Sequence, residues 1–365
     1  MILWIGIGII IALVIRIGSW MFQKGDPEYI LKFLKENAKN KNVALSVKYN
    51  KEKWVEVNGR EPLPLASTVK MIVAIAYAKQ AADGRIDPQQ NVTFKELNTY
   101  YVPKTDGGAH EAWLDSVKKD KEINSVPLSE VAKGMIAYSS NANTDYLIQV
   151  LGLENINRVL KELNVTDHEP IYPMVSTLFI PLQLMREKNI TKEETLQALK
   201  EMDMDEYRNQ AIAIHQQWLN ELPSDEEKQQ LVKIMDMDFQ KVWSDRLSRA
   251  TTDDYVSIIE KLNSKTLFSK SVHEYLDPIM ESLMNNPKNR EWLVHGGQKS
   301  GSTVFVLTMA MYATDKQGNQ TELAFFANDL SLLEQKKLSL NMNSFQLKFL
   351  TNDEFRRRVQ KELAF

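Results

Sequence analysis

The chain has 365 residues, 43% hydrophobic and 25% charged, the usage of an ordinary globular protein with room for one large domain or two smaller ones. Its 45 basic and 48 acidic side chains leave a formal net charge of −3, so the balance gives no pointer to a nucleic-acid partner. Cysteine is absent, which excludes disulfides and thiolate chemistry, and the five histidines never take the i,i+4 spacing of a helical zinc pair, so neither metal nor cofactor is expected.

Residues Met1 to Phe22 are apolar except for Arg16, with Ile2 to Ile15 an unbroken run. As a helix such a stretch would be roughly 33 Å long, enough to cross a bilayer. No small-x-small cleavage pattern precedes Gln23-Lys24, so residues 1–22 read as an uncleaved single-pass anchor, with a buried core helix the alternative. Arg16 and Lys24 come after the run, and a positive-inside count would by itself keep the rest of the chain in the cytoplasm.

Pro27 to Asn40 has the period of an amphipathic helix, and Val43–Tyr49 and Trp54–Val57 alternate as a strand hairpin around Asn50-Lys-Glu-Lys. A Pro-containing extended stretch then leads into Ser67-Thr-Val-Lys70 and an alanine-rich apolar helix that stops at Asp83-Gly84. This spacing puts Ser67 in the first helical turn and Lys70 one turn later on the same side. A serine hydroxyl needs a base to become a nucleophile, and a lysine can serve if burial and nearby cations lower its pKa.

Asn91 to Val117 is polar and loop-rich, with Asp106-Gly107-Gly108. A helix comes after Pro127, with Ser129 as its cap before Val131–Tyr138; Ser139-Ser-Asn-Ala-Asn-Thr interrupts it, and a helix resumes from Asp145 to Gly152. Leu178 to Arg249 is helical and heavily charged, and reads as an all-helical elaboration packed on the domain. Thr251 starts a helix to Leu262, and another covers His273 to Met284. The period then changes: Lys299-Ser300-Gly301 opens a strand over Ser302–Ala313, Asp315–Asn319 turns, Glu322–Ala327 is a further strand, and Phe345–Glu362 is a closing helix. Strands at both ends with helices between predict an α/β (α+β) fold, an antiparallel sheet of N- and C-terminal segments with an inserted helical subdomain, over residues 27–365.

Ser-x-x-Lys and Ser-x-Asn are not specific by themselves, since Ser116-x-x-Lys119 and Ser339-x-Asn341 also fit, whereas Lys-[Ser/Thr]-Gly occurs once, at Lys299-Ser300-Gly301. Order and context carry more. Ser67-x-x-Lys70 opens an apolar helix, Ser139-x-Asn141 lies between helices, and Lys299-Ser-Gly belongs to a late strand. With these three elements the chain resembles the penicillin-recognising serine hydrolases, and within them the class A β-lactamase-like branch. The resemblance implies a β-lactamase/transpeptidase-like fold and an acyl-enzyme formed on Ser67. It makes Lys70 the base or part of the proton relay, and has Ser139 pass a proton to the departing nitrogen. Asn141 would hold the substrate amide, and Lys299 and Ser300 the substrate carboxylate. The backbone N–H groups of Ser67 and Ser302 would form an oxyanion hole, with Gly301 allowing close approach.

The implied substrate is a β-lactam or the D-Ala-D-Ala end of a cell-wall peptide, which places the domain outside the cytoplasmic membrane. The sequence departs from the family pattern in places. Ser140 stands where Asp is usual, Pro173 occupies the Asn position of the Glu-x-x-x-Asn that holds the hydrolytic water, and no arginine lies between Arg290 and Arg356. His168-Glu169-Pro170 imitates the family's Glu-Pro, so Glu169 is either the deacylating base or a surface carboxylate. A sensor or scaffold with a degenerate pocket is the alternative function.

Overall fold

The structure is a computed structural model that describes residues 25–119 and 122–364. The anchor expected over residues 1–22 lies outside the described residues, and among the described ones no helix is long and apolar enough to cross a membrane.

Five strands form one antiparallel sheet: β1 (Val43–Tyr49), β2 (Glu52–Val57), β3 (Leu293–Ser302), β4 (Leu307–Asp315) and β5 (Gln320–Ala327), in the spatial order β2-β1-β5-β4-β3. N- and C-terminal segments therefore meet at β1 and β5, whose register runs from Val43 opposite Ala327 to Tyr49 opposite Thr321. Side chains alternate across the sheet, so neighbours on β5 serve different cores. Leu323, Phe325 and Ala327 pack under the helices α1 (Pro27–Glu36), α5 (Leu332–Thr351) and α6 (Asp353–Glu362), whereas Ala324 and Phe326 belong to the larger helical core on the other face.

The centre of that larger core is α2 (Lys70–Ala82), in which every residue but Lys79 and Ala82 is buried, as its apolar composition on all sides requires. A single 3₁₀ turn, Ala66–Val69, leads into it, so Ser67 falls in this turn and Lys70 begins the α-helix. The expected break at Ser139–Thr144 is shorter than its composition suggests. Ser140 caps α3 (Asn141–Leu151) by accepting from Asn143 N, so Asn141 is already helical.

Between Ile180 and Asp245 lie five helices, the last of them α4 (Met237–Asp245). Leu199, Tyr207, Ile214, Leu231 and Phe239 from this segment join the same apolar core as α2, so it is packed onto the body.

Several boundaries differ from the sequence expectation. The Asn91–Val117 stretch holds a short strand and two helices, Phe94–Thr99 and Ala109–Lys118. The helix after Pro127 begins at Leu128, not after Ser129, with Pro127 in the N-cap position and no side-chain cap. Lys299-Ser-Gly closes β3 instead of opening a strand, because His295–Gln298 pair with β4 despite two glycines, and Thr303–Val306 form the turn to β4. The final helical region begins at Leu332, with a capping box of Ser331 and Glu334, and breaks at Asn352.

Candidate active site

The 3₁₀ turn carrying Ser67 lies against β3 and β4. Thr68 Oγ1 and Thr308 Oγ1 are 2.7 Å apart, and Thr308 Oγ1 is 2.7 Å from the carbonyl oxygen of Leu65. Gly301 faces the turn so closely that a Cβ there would stand 2.4 Å from Ser67 N and 2.8 Å from Leu65 O. The absence of a side chain at 301 is thus what lets the end of β3 sit beside the amide of Ser67.

Alternation along β3 sorts the neighbouring residues. Lys299 and Gly301 are buried, whereas Ser300 and Ser302 are exposed on the cleft. Lys299 Nζ donates to Ser139 Oγ at 3.0 Å and to the carbonyl of Ser300 at 2.7 Å. From the helix side Lys70, fully buried, donates to the carbonyl of Ser139 at 2.6 Å and to Asn141 Oδ1 at 2.7 Å, with Ser139 Oγ at 3.4 Å. Ser139 has φ of +72°, a left-handed conformation that costs a non-glycine residue on the order of 1–2 kcal/mol. In that conformation its carbonyl serves one lysine and its hydroxyl the other. Ala66, just before the nucleophile position, is also left-handed at φ +44°. Two strained residues beside one cleft are the pattern of a functional site.

Burial disfavours the charged form of an amine. It holds Lys70 well below the ordinary lysine range, with the positive charge of Lys299 acting in the same direction and Asp106 and Asp145 opposing it. Lys299 is pushed down to about 7 by burial. A neutral Lys70 has two N–H groups, which match its two short acceptors, and a lone pair free to take a hydroxyl proton.

Sequence reasoning missed two buried or capping carboxylates. Asp145, one turn after Asn141, accepts from Met174 N at 2.9 Å and Val175 N at 2.7 Å, pinning that segment to the floor of the cleft. Burial raises its carboxyl to about 6. Asp106 caps the Ala109–Lys118 helix through Ala109 N and His110 N. Its place in a glycine-rich stretch was visible, but its proximity to Lys70 was not.

The structure places the Glu169 carboxylate against Arg208 and the backbone of Arg249. Its Oε2 accepts from Arg249 N at 3.1 Å and lies 3.3 Å from Arg208 Nη2. The carboxylate lines a separate cleft with Lys200, Arg246 and Arg249. The stretch after it, Ile171–Val175, is buried; Met174 lines the cleft of Ser67. Among the described residues lining that cleft, Asp106 is the sole carboxylate, and it is engaged by backbone amides. Ser140, in place of the family's Asp, is fully buried between His110 Nδ1 at 2.9 Å and Asn143.

Comparison with known proteins agrees with this arrangement of motifs. The sequence profile of the beta-lactamase enzyme family matches residues 28–298, well over half of the chain. The chain belongs to that family. Its fold is shared with a beta-lactamase from Sphaerobacter thermophilus (15% identity, TM-score 0.53, covering 88% of this chain and 97% of that one). It is shared also with a beta-lactamase from Chitinophaga pinensis (14%, TM-score 0.52, 88% and 98%) and with PBP-A (14%, TM-score 0.50, 87% and 95%). No curated protein sequence matches the chain. This member of the family carries Ser140 where Asp is usual, and its cleft is lined in part by Gln240, Trp243 and Ser244 of the helical segment before Arg249.

Proposed function

We propose that the protein is a serine acyl-transfer hydrolase that forms an acyl-enzyme on Ser67 with the D-Ala-D-Ala end of a cell-wall peptide, and with β-lactams that imitate it. The observation that carries this reading is the convergence on Ser139 of two buried lysines from distant segments, beside a strand end so near Ser67 N that a Cβ on Gly301 would collide with it. In this reaction Ser67 Oγ attacks the carbonyl carbon while its proton passes to neutral Lys70. The tetrahedral intermediate is held by the amides of Ser67 and Ser302. The C–N bond then breaks, and the departing nitrogen takes a proton through Ser139. Water finally adds to the ester, releasing the acid and restoring Ser67. Charged Lys299, with Ser300, attracts the substrate carboxylate, and Asn141 holds the amide of the acyl arm.

The pairing of Glu169 with Arg208 and Arg249 supports slow release of a penicilloyl group, as no free carboxylate among the described residues faces the cleft to activate water. A variant of the fold neighbour PBP-A has been captured as an acyl-enzyme complex with penicillin G. The apolar run Ile2–Ile15 supports a membrane tether, with the domain on the outer side where such peptides occur. Intact-mass measurement after penicillin treatment tests the reading. One adduct of the drug's mass on the full chain, absent in Ser67→Ala, is the expected result; an unmodified protein would refute it.

A further inference from the structure

The cleft that contains Ser67 measures about 740 Å³, in the upper range for a small-ligand site, and much of its lining lies outside the three motifs. That lining includes Gln240, Trp243 and Ser244 of α4, Thr303 and Val304 of the turn after β3, and Leu332 with Gln335 at the start of α5. None of these side chains is ionisable. Lys241, which shares α4, is engaged by Asp245 at 2.6 Å.

This wall is built. Ser244 Oγ and Thr303 Oγ1 are 2.8 Å apart, tying α4 to the end of β3. Trp243 Nε1 donates to Thr177 Oγ1 at 2.9 Å, which fixes the ring, while the residue remains half-buried with surface on the cleft. Leu332, which lines the same cleft, is 61% exposed at a helix start, a large apolar side chain without cover. β3 is an outermost strand of the sheet, so an extended chain can lie along it toward these residues.

We propose that α4 and Leu332 form a subsite for the acyl arm of an extended peptide, with Trp243 as its aromatic platform and a preference for uncharged side chains. The inference rests on the acyl-enzyme reading above. If the substrate carboxylate sits at Lys299 and Ser300 and the reacting carbonyl at Ser302, the chain on the acyl side of the scissile bond continues past Ser302 to Thr303 and Val304. That leads it between Trp243 and Leu332. Penicillin, whose acyl arm is short, does not reach as far.

The test uses the full-length protein and competition against fluorescent penicillin, which does not depend on peptide turnover. The probes are Ac-D-Ala-D-Ala and a five-residue peptide of the same ending with an uncharged acyl arm. The longer peptide is expected to halve labelling at a concentration at least tenfold lower. Trp243→Ala and the surface change Leu332→Ser are expected to abolish that advantage while leaving the penicillin rate within threefold. An equal advantage in both variants, or no advantage of length in the unaltered protein, overturns the subsite. Replacing the uncharged arm by an acidic one is expected to cost at least fivefold, and equal competition would overturn the stated preference. Failure of the acyl-enzyme reading would look different: no labelling of the unaltered protein at all.

Discussion

Gly301 stands so close to Ser67 that any side chain there would collide with the backbone amide expected to hold the oxyanion: a Cβ would be 2.4 Å from Ser67 N. The neighbours on the other sides, Leu65 O and Thr308 Oγ1 at 2.8 and 2.7 Å, are backbone and a buried hydroxyl, so none can swing away. Gly301→Ala should therefore push β3 from the 3₁₀ turn and misplace the amide. Loss of one such donor is worth roughly 10²–10³ in rate, and the labelling rate with fluorescent penicillin should fall by about that factor. A variant labelled at the original rate would remove this amide from the mechanism.

The two lysines should set the pH profile of the proposed acylation. Lys70 must be neutral to accept a proton, and burial together with the charge of Lys299 makes it so at a lower pH than an ordinary lysine. Lys299 must be charged to attract a carboxylate, and with its pKa at about 7 that charge is lost above neutrality. The labelling rate should form a bell whose alkaline limb falls roughly tenfold between about pH 7 and 8.5. Lys299→Arg, which stays charged, should erase that limb even if the rate is lower overall. A limb unchanged in the variant would assign it to another group. Stability carries the opposite sign. The unfolded chain binds more protons on these lysines than the folded one between about pH 7 and 10, so resistance to urea should rise with pH across that window.

Much of this site is legible in the sequence because each motif is local. Ser67-x-x-Lys70 announces itself by the apolar helix it opens, and the sheet by strand periods at the two ends of the chain. What escapes a local reading is set by contacts between distant residues. Thr303-Val-Phe reads as strand because its residues are β-branched or aromatic, yet Thr303 and Val306 close a turn through their backbones. Val294–Gln298 does not read as strand because Gly296 and Gly297 have low strand propensity, although Tyr312 covers them. The capping box of Ser331 and Glu334 is a legible start signal for α5. No local pattern could show that Ser244 bonds Thr303, 59 residues away.

The orientation of Glu169 is likewise set by distant residues, Arg208 and the backbone of Arg249, and not by the adjacent Pro170. Glu169→Ala should leave both acylation and release of the penicilloyl group within threefold. Its cost should appear in stability, about 1–2 kcal/mol from a partly buried ion pair and an amide of Arg249 left without its acceptor. Urea titration and the decay of the labelled band measure the two quantities separately. Release slowed by tenfold or more would restore Glu169 to the chemistry.

Ser140 should behave as a structural residue placed between Ser139 and Asn141, two residues of the proposed site. Its hydroxyl caps α3 at Asn143 N, 3.1 Å away, and meets the buried ring of His110 at 2.9 Å. Ser140→Ala removes the cap and leaves His110 Nδ1 without a partner, for an expected loss of about 1–3 kcal/mol by thermal or urea unfolding. Acylation should change little, because Lys70 and Lys299 bond to Ser139 and Asn141, not to Ser140. Ser140→Asp, which restores the family's residue, can keep the cap. It also puts a carboxylate next to an imidazole whose pKa is lowered by burial, and favours its protonation. That variant should lose stability as pH rises past the imidazole's titration, a slope the unaltered protein lacks. An acylation rate reduced a hundredfold in Ser140→Ala at full stability would make Ser140 part of the proton path instead.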